Sequence, residues 1–182
     1  DDMLIGDRNA LMISIRITGY GPEYSATVTC PSCTRKSNQS FNLANLEIKR
    51  LDIKPVEKGQ NLFSFKLPVT KKTVYFRFLS GRDEVERSIM LDRMRKMTGG
   101  GGIQKSVTSR LEYQIVSVEG VEDRNAIVQF ISKMPARDSK ELRNYISDQE
   151  PGIDMSVTME CPHCSHEGRV ALPIGANFFW PE

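Results

Sequence analysis

The chain has little of what marks a membrane protein, a secreted protein or a dedicated nucleic-acid binder. No apolar run approaches the roughly 20 residues that a membrane-spanning helix needs, and no signal peptide is visible. The 25 basic and 23 acidic side chains nearly cancel, unlike the strongly basic composition of nucleic-acid-binding domains. Because the chain opens on Asp1 and Asp2 without an initiator methionine, we expect the native N-terminus to be missing or trimmed.

Catalytic motifs are also missing. The sequence contains no serine nucleophile elbow and no HExxH zinc motif. The segment Gly99–Ser106 approaches a phosphate-binding P-loop, but Gln104 replaces its second glycine and a predicted helix precedes it. Five carboxylates lack a nucleophile or histidine at a catalytic spacing: Asp138, Glu141, Asp148, Glu150 and Asp154. We therefore expect no enzymatic activity and no small-molecule substrate.

All four cysteines lie in two short pairs, each after a segment that is predicted to be a strand. A CxxC pair at the end of a strand forms a tight turn, or knuckle, that directs two sulfurs at one point. Four thiolates are the tetrahedral ligand set of structural Zn²⁺, and the missing signal peptide favours zinc over disulfides. The sequence therefore predicts a structural zinc that fastens the two ends of the fold, with the ligands Cys30, Cys33, Cys161 and Cys164.

Other interpretations of the cysteines stay open at this point. The two pairs could be independent redox centres, or they could form a disulfide. The only two histidines, His163 and His166, lie in and just after the second pair. One of them could replace a cysteine, as in a catalytic zinc site with an open coordination position.

Hydrophobic periodicity predicts a helix, then strands, then helices, then strands. An N-terminal helix runs from an N-cap at Asp7 to Gly19, although Ile13–Ile17 also alternates like a strand. Period-two patterns between Tyr24 and Phe78 indicate strands. Their inward residues are predicted to be Tyr24, Ala26, Val28, Phe41, Leu43, Phe63, Phe65, Leu67, Val74, Phe76 and Phe78. A last strand pair flanks the second knuckle and closes with Val170 and Leu172.

Four helices are predicted between residues 80 and 150. The first helix begins with a capping box at Ser80–Asp83. A glycine run, Gly99–Gly102, follows this helix and is predicted to be a flexible hinge. The third runs from about Asp123 to Pro135, and the fourth from about Asp138 to Gln149. The inward residues of the four helices, in order, are Val85, Ile89, Met90, Met94 and Met97; Val107, Leu111, Ile115 and Val118; Ile127, Ile131 and Met134; Leu142, Tyr145 and Ile146.

This order predicts an α+β fold, a β-platform with a zinc-knuckle pair that supplies four cysteine ligands, an N-terminal helix and a central helical insertion. Residues 1–79 hold the helix and the platform with the first knuckle, and residues 80–150 form the insertion. Residues 151–182 hold the second knuckle, the closing strands and an aromatic arm. We expect the three segments to form one zinc-stapled unit.

The C-terminal arm is apolar and carries the only tryptophan of the chain. It either packs on its own core or anchors a partner protein, because buried aromatic side chains dominate interface energetics. We predict a partner-binding role for Phe178, Phe179 and Trp180.

Several stretches occur in one order and cover most of the chain from Asp7 onward. They are Asp7-Arg8-Asn9, Cys30-Pro31-Ser32-Cys33, the predicted helical run Ile115–Gly120, Met134–Asp138, Cys161-Pro162-His163-Cys164, and Phe178–Pro181. This ordered set resembles the baseplate hub assembly proteins of T4-like contractile-tailed bacteriophages.

The resemblance implies a non-enzymatic hub or wedge adaptor of the tail baseplate, located in the virion and assembled in the host cytoplasm. Its partners would be other baseplate and tail proteins, with no membrane and no nucleic acid involved. A zinc-ribbon regulator that binds nucleic acid is the alternative, since zinc knuckles also occur in such proteins.

Overall fold

The structure is a computed structural model that describes residues 2–98 and 103–180. The predicted hinge at Gly99–Gly102 lies outside the described residues, as do the side chains of Met97 and Val107. None of the helices in the described ranges is long and apolar enough to span a membrane. The elements are α1 (Ile5–Tyr20), β1 (Glu23–Thr29), β2 (Lys36–Asn42), a 3₁₀ turn (Leu43–Asn45), β3 (Ile48–Lys49), β4 (Phe63–Lys66), β5 (Thr73–Phe76), α2 (Gly81–Thr98), α3 (Ile103–Gln114), β6 (Ile115–Val118), α4 (Arg124–Lys133), α5 (Ala136–Gln149), β7 (Gly152–Ile153), β8 (Ser156–Glu160), β9 (Glu167–Ala171) and α6 (Ala176–Phe179).

The chain divides into two compact units, and the fold is α+β as predicted. The terminal unit combines residues 6–49 with residues 151–182, and the central unit combines residues 1–5 with residues 50–150. Both cysteine pairs belong to the terminal unit. The central unit is therefore an insertion between the two knuckle-bearing halves of the terminal unit. The predicted division at residues 79/80 and 150/151 into three segments stays a prediction.

Two antiparallel hairpins form most of the terminal unit. Strand β1 pairs with β2, with Tyr24 opposite Phe41, and β8 pairs with β9, with Met159 opposite Gly168. Alternate residues of β1 are buried, which confirms its period-two pattern. The buried core of this unit contains Ile13, Tyr24, Ala26, Val28, Cys30, Phe41, Leu43, Met159, Cys161, Leu172 and Phe178.

A close backbone approach joins α1 to the start of β7 inside the terminal unit. A Cβ atom added to Gly6 would lie 1.8 Å from the Pro151 carbonyl oxygen, and one added to Gly152 would lie 2.7 Å from the Gly6 Cα. Gly152 also has a φ of +150°, which L side chains rarely adopt. Both positions therefore require glycine.

The N-terminal helix is present, but it begins earlier than predicted. Helix α1 starts at Ile5, so the prediction of Asp7 as its N-cap is wrong. Asp7 lies in the first turn, where a carboxylate interacts favourably with the helix dipole. The alternating run Ile13–Ile17 is helical, with Ile13 and Arg16 buried.

The central unit packs helices on a three-stranded antiparallel sheet of order β4-β5-β6. The turn that joins β4 to β5 contains Lys71, where φ is +59°. The buried core contains Phe63, Leu67, Val74, Phe76, Phe78, Leu111, Ile115, Val118, Ile127, Ile131, Leu142 and Ile146. The inward faces predicted for α4 and α5 are confirmed, since Tyr145 and Met134 pack against this core.

The predicted second helix is wrong after residue 114. Helix α3 ends at Gln114, and Ile115–Val118 forms strand β6, which pairs with β5. Leu111, Ile115 and Val118 have helical spacing, yet the β-branched run gains more by completing the sheet. Glu119 and Gly120 both have positive φ and form a two-residue turn that returns the chain to Val121. The run Ile115–Gly120 in the family resemblance is thus a strand and turn, not a helix.

Helix α2 begins with the predicted capping box, and Asp83 is its centre. The Ser80 backbone N–H and hydroxyl donate to Asp83 Oδ2, both at 2.8 Å, and the Asp83 N–H donates to Ser80 Oγ at 3.3 Å. The Arg77 guanidinium forms two hydrogen bonds to the same carboxylate, at 2.6 and 2.9 Å. Burial raises the pKa of Asp83, but Arg77 and Ser80 outweigh it and bring the pKa down to about 2.

The predicted apolar stripe of α2 is wrong at two positions. Val85 and Ile89 are 51% and 48% exposed. The buried Asp83 and the half-buried Arg87, Met90 and Met94 lie on the inner face instead. The ionic contacts in the first turns of α2 determine which face of the helix is buried. Hydrophobic periodicity contains no information on these contacts.

A buried carboxylate links α5 to the turn between β4 and β5. Asp138 is fully buried and accepts hydrogen bonds from the backbone N–H groups of Val69 at 2.7 Å and Thr70 at 3.0 Å. Burial raises the pKa of Asp138, but the hydrogen bonds from Val69 and Thr70 lower it by more. The pKa of Asp138 therefore lies below its usual value. The carboxylate therefore holds the turn as an anion.

We expect Asp138→Ala to lower the free energy of unfolding by roughly 1–3 kcal/mol, because it leaves two backbone donors without their acceptor. Urea unfolding followed by far-ultraviolet circular dichroism measures this. The matched control is Asp148→Ala, an exposed position on the same helix, which should change stability by about 0.5 kcal/mol or less. Equal losses in the two variants would contradict the assigned role.

The Arg77–Asp83 contact predicts a defined pH dependence. A carboxylate whose pKa is lowered in the folded state stabilises the fold above its unfolded pKa, near 4, and loses that effect as the pH falls toward 2. We expect the wild type to exceed Asp83→Asn in unfolding free energy by roughly 1–2 kcal/mol at pH 6, with the gap narrowing between pH 4 and pH 2. A gap that stayed constant over this range would contradict the assignment.

Candidate metal centre

The first knuckle is the turn between β1 and β2. Cys30 follows the last residue of β1, and its backbone N–H donates to the Arg35 carbonyl at 2.9 Å. The Thr34 N–H donates to the Cys30 carbonyl at 3.0 Å, and Thr34 has a φ of +59°. These bonds fold the CxxC segment back on itself, so that Cys30 and Cys33 direct their sulfurs to the same side.

The second knuckle repeats this geometry between β8 and β9. The Cys161 N–H donates to the His166 carbonyl at 3.0 Å, and the Ser165 N–H donates to the Cys161 carbonyl at 2.8 Å. Ser165 has a φ of +52°, which matches Thr34. The two hairpins therefore present equivalent pairs of sulfurs.

The four sulfurs converge on one point. The Sγ atoms of Cys30 and Cys164 are 3.8 Å apart, those of Cys33 and Cys161 are 3.6 Å apart, and all four lie within 4.8 Å of one another. A tetrahedral ion with metal–sulfur bonds of about 2.3 Å has sulfur–sulfur edges of about 3.8 Å. The cysteines are free thiols, since a disulfide needs about 2.05 Å between its sulfurs. The geometry fits one four-coordinate metal ion.

Backbone donors support negative charge on this cluster. The backbone N–H of His163 has the largest effect on Cys161 and, with other donors, lowers the pKa of this thiol to about 7. The N–H groups of Cys33 and Ser32 lower the pKa of Cys30 in the same way. At Cys164 the N–H of His166 acts in that direction, but desolvation and the neighbouring thiols raise the pKa to about 11. Four thiolates this close repel one another, so full deprotonation requires a cation among them.

Histidine does not join the sulfur cluster. Within residues 2–98 and 103–180, the group of side chains that could hold a metal here consists of the four cysteines. His163 is exposed on the knuckle, and the His166 ring lies over Gly168. An ion bound by four protein thiolates has no open position for a substrate, which is the pattern of structural and not catalytic sites.

The sulfurs lie at the edge of the terminal core. Cys30 and Cys161 are buried, Cys33 is half-buried and Cys164 is exposed. Because two of the ligands are core residues, the cluster and the apolar packing of this unit depend on each other.

The aromatic residues at the C-terminus divide between the core and solvent. Phe178 is fully buried, with its ring edge-to-face against Tyr24 at 5.1 Å between centroids. Tyr24 in turn donates its hydroxyl to the Pro173 carbonyl at 2.7 Å. Phe179 is half-buried, whereas Trp180 is 72% exposed. The arm thus packs on its own unit through Phe178, and its role in partner binding stays a prediction.

Comparison with protein-family models gives a match to the family described as T4 bacteriophage base plate protein, over residues 1–180. Neither the curated proteins nor the solved structures provide a significant match.

We expect Cys161→Ser to abolish stoichiometric metal binding and to lower the thermal midpoint of the terminal unit. The cause is the loss of one of four ligands from a site whose binding free energy contributes to folding. Elemental analysis of anaerobically purified protein and calorimetric melting measure the two effects. Ser32→Ala, an exposed change in the first knuckle, is the control and should retain metal and melting behaviour. A chelator that removed metal without lowering the midpoint would contradict a stabilising role.

Proposed function

The chain belongs to the T4 bacteriophage base plate protein family, and from this premise we propose that it is a non-enzymatic adaptor of the contractile-tail baseplate, in the hub or wedge. The observation that supports this most directly is that the family match extends over residues 1–180, so both units belong to it. A structural and not a catalytic role agrees with a cysteine cluster that leaves no coordination position open.

The proposed cofactor is one structural Zn²⁺ bound by Cys30, Cys33, Cys161 and Cys164. A set of four thiolates selects zinc over magnesium or calcium, which prefer oxygen ligands. Baseplates assemble in the host cytoplasm, where thiols stay reduced and available for metal. The ion would fasten together the two halves of the terminal unit, which the central unit separates in sequence.

The proposed partners are other proteins of the baseplate, and the proposed location is the virion tail. Trp180 is the best candidate anchor of the three predicted residues, because its ring is exposed whereas Phe178 is buried. Ile174, which is 40% exposed, lies in the same C-terminal arm. An exposed tryptophan in an apolar arm fits an interface hot spot. The nearly balanced charge of the chain favours this role over nucleic-acid binding.

We expect a tagged copy of the chain, expressed during infection, to co-purify with baseplate proteins that mass spectrometry identifies in tails or in their assembly intermediates. Absence from both fractions would contradict the baseplate assignment. Binding to duplex DNA with an affinity that falls steeply as the salt concentration rises would instead favour the alternative of a nucleic-acid-binding regulator.

We expect Trp180→Ala to weaken this co-purification without lowering the thermal midpoint, since the exposed ring contributes little to the fold. Tyr20→Ala removes another exposed aromatic ring, 55% accessible in the wild type, and serves as the matched control. If both variants co-assembled like the wild type, Trp180 would not be the anchor.

A further inference from the structure

The central unit contains a cleft of about 440 Å³ that the baseplate assignment does not explain. Helix α2 contributes Arg87 to its lining, α3 contributes Arg110 and Gln114, and α5 contributes Arg143. Glu150, just after α5, closes one side. Among the lining residues that the structure describes, there are three guanidinium groups and one carboxylate.

The cleft retains positive charge after its internal contacts are counted. Arg110 forms an ion pair with Glu150 at 3.0 Å, and Arg87 pairs with Glu84 on its own helix. Arg143 donates through Nε to the Ser139 carbonyl of the same helix, at 3.0 Å. Arg143 has no acidic partner in the part of the chain that the structure describes. Its two terminal nitrogens are therefore available to an anion.

One further donor in the lining lacks an acceptor. The Nε of Arg87 is buried and has no hydrogen-bond partner among the described residues. The side chain of Gln114, which is only 2% exposed, lies in the same lining. An unpaired buried polar group is costly, so the Arg87 Nε is better explained by a ligand that supplies an acceptor.

We propose that this cleft binds carboxylate side chains in a short acidic peptide segment of a partner protein. A carboxylate presents two coplanar acceptors that match the fork of a guanidinium, and an amide N–H adds a third donor. A protein segment is favoured over nucleic acid because the cleft is confined and bounded by Glu150. The phosphate backbone of nucleic acid instead requires an extended basic face, and the chain has 25 basic against 23 acidic residues. The inference rests on the cleft itself and does not depend on which assembly supplies the segment.

The test is a nuclear magnetic resonance titration of the full chain, loaded with zinc, with a hexaglutamate peptide at low salt. We expect the side-chain amide signals of Gln114 to shift in a saturable way, and hexalysine to leave them unchanged. Arg143→Gln should weaken the binding about tenfold. The matched control is Arg137→Gln, which removes the same charge from an exposed position on the same helix but outside the cleft, and it should bind like the wild type.

Three results would overturn the proposal. Equal weakening in the two arginine variants would indicate general charge attraction, and a binding shift that left Gln114 unaffected would place the peptide elsewhere. Duplex DNA that displaced hexaglutamate and bound the cleft more tightly would assign the cleft to phosphate. None of these results would bear on co-purification with baseplate proteins, so the two hypotheses can fail separately.

Discussion

The convergence of four cysteine sulfurs is the constraint on which the rest of the terminal unit depends. The two knuckles are far apart in sequence, yet Cys30 and Cys164 come within 3.8 Å of each other and Cys33 and Cys161 within 3.6 Å. Two of these cysteines, Cys30 and Cys161, are core residues, so the sulfurs meet where the apolar side chains of both hairpins pack together. A bound cation would relieve the repulsion between the thiolates and fix this arrangement.

This constraint explains how a long insertion is accommodated. The chain leaves the terminal unit after residue 49 and returns at residue 151, so the two hairpins are joined through the whole central unit. Closing so long a loop is entropically costly, and a metal clip offsets that cost more for a long loop than for a short one. The tight approach of Gly6 to Gly152 adds a second fastening inside the same unit. The central unit has its own core and its own polar contacts, including the buried Asp138.

Local patterns in the sequence were sufficient for the knuckles, the capping box and most buried strand faces. CxxC turns, a Ser80–Asp83 cap and period-two alternation are all encoded within a few residues. Three features depend on partners outside the element that forms them, and they escaped prediction. Strand β6 forms by pairing with β5. The rotation of α2 follows from the contact between Arg77 and Asp83. Asp138 is buried because it accepts hydrogen bonds from the backbone N–H groups of Val69 and Thr70. The cleft draws residues from three helices, so no single stretch of sequence indicates it.

We propose that one zinc ion joins the two hairpins through four thiolates. The decisive measurement is X-ray absorption spectroscopy at the zinc edge, on protein purified without added metal or chelator. We expect one zinc per chain with four sulfur neighbours at about 2.3 Å. A first shell containing nitrogen or oxygen, or protein that is folded and metal-free, would show that the ion does not fasten the hairpins in this way.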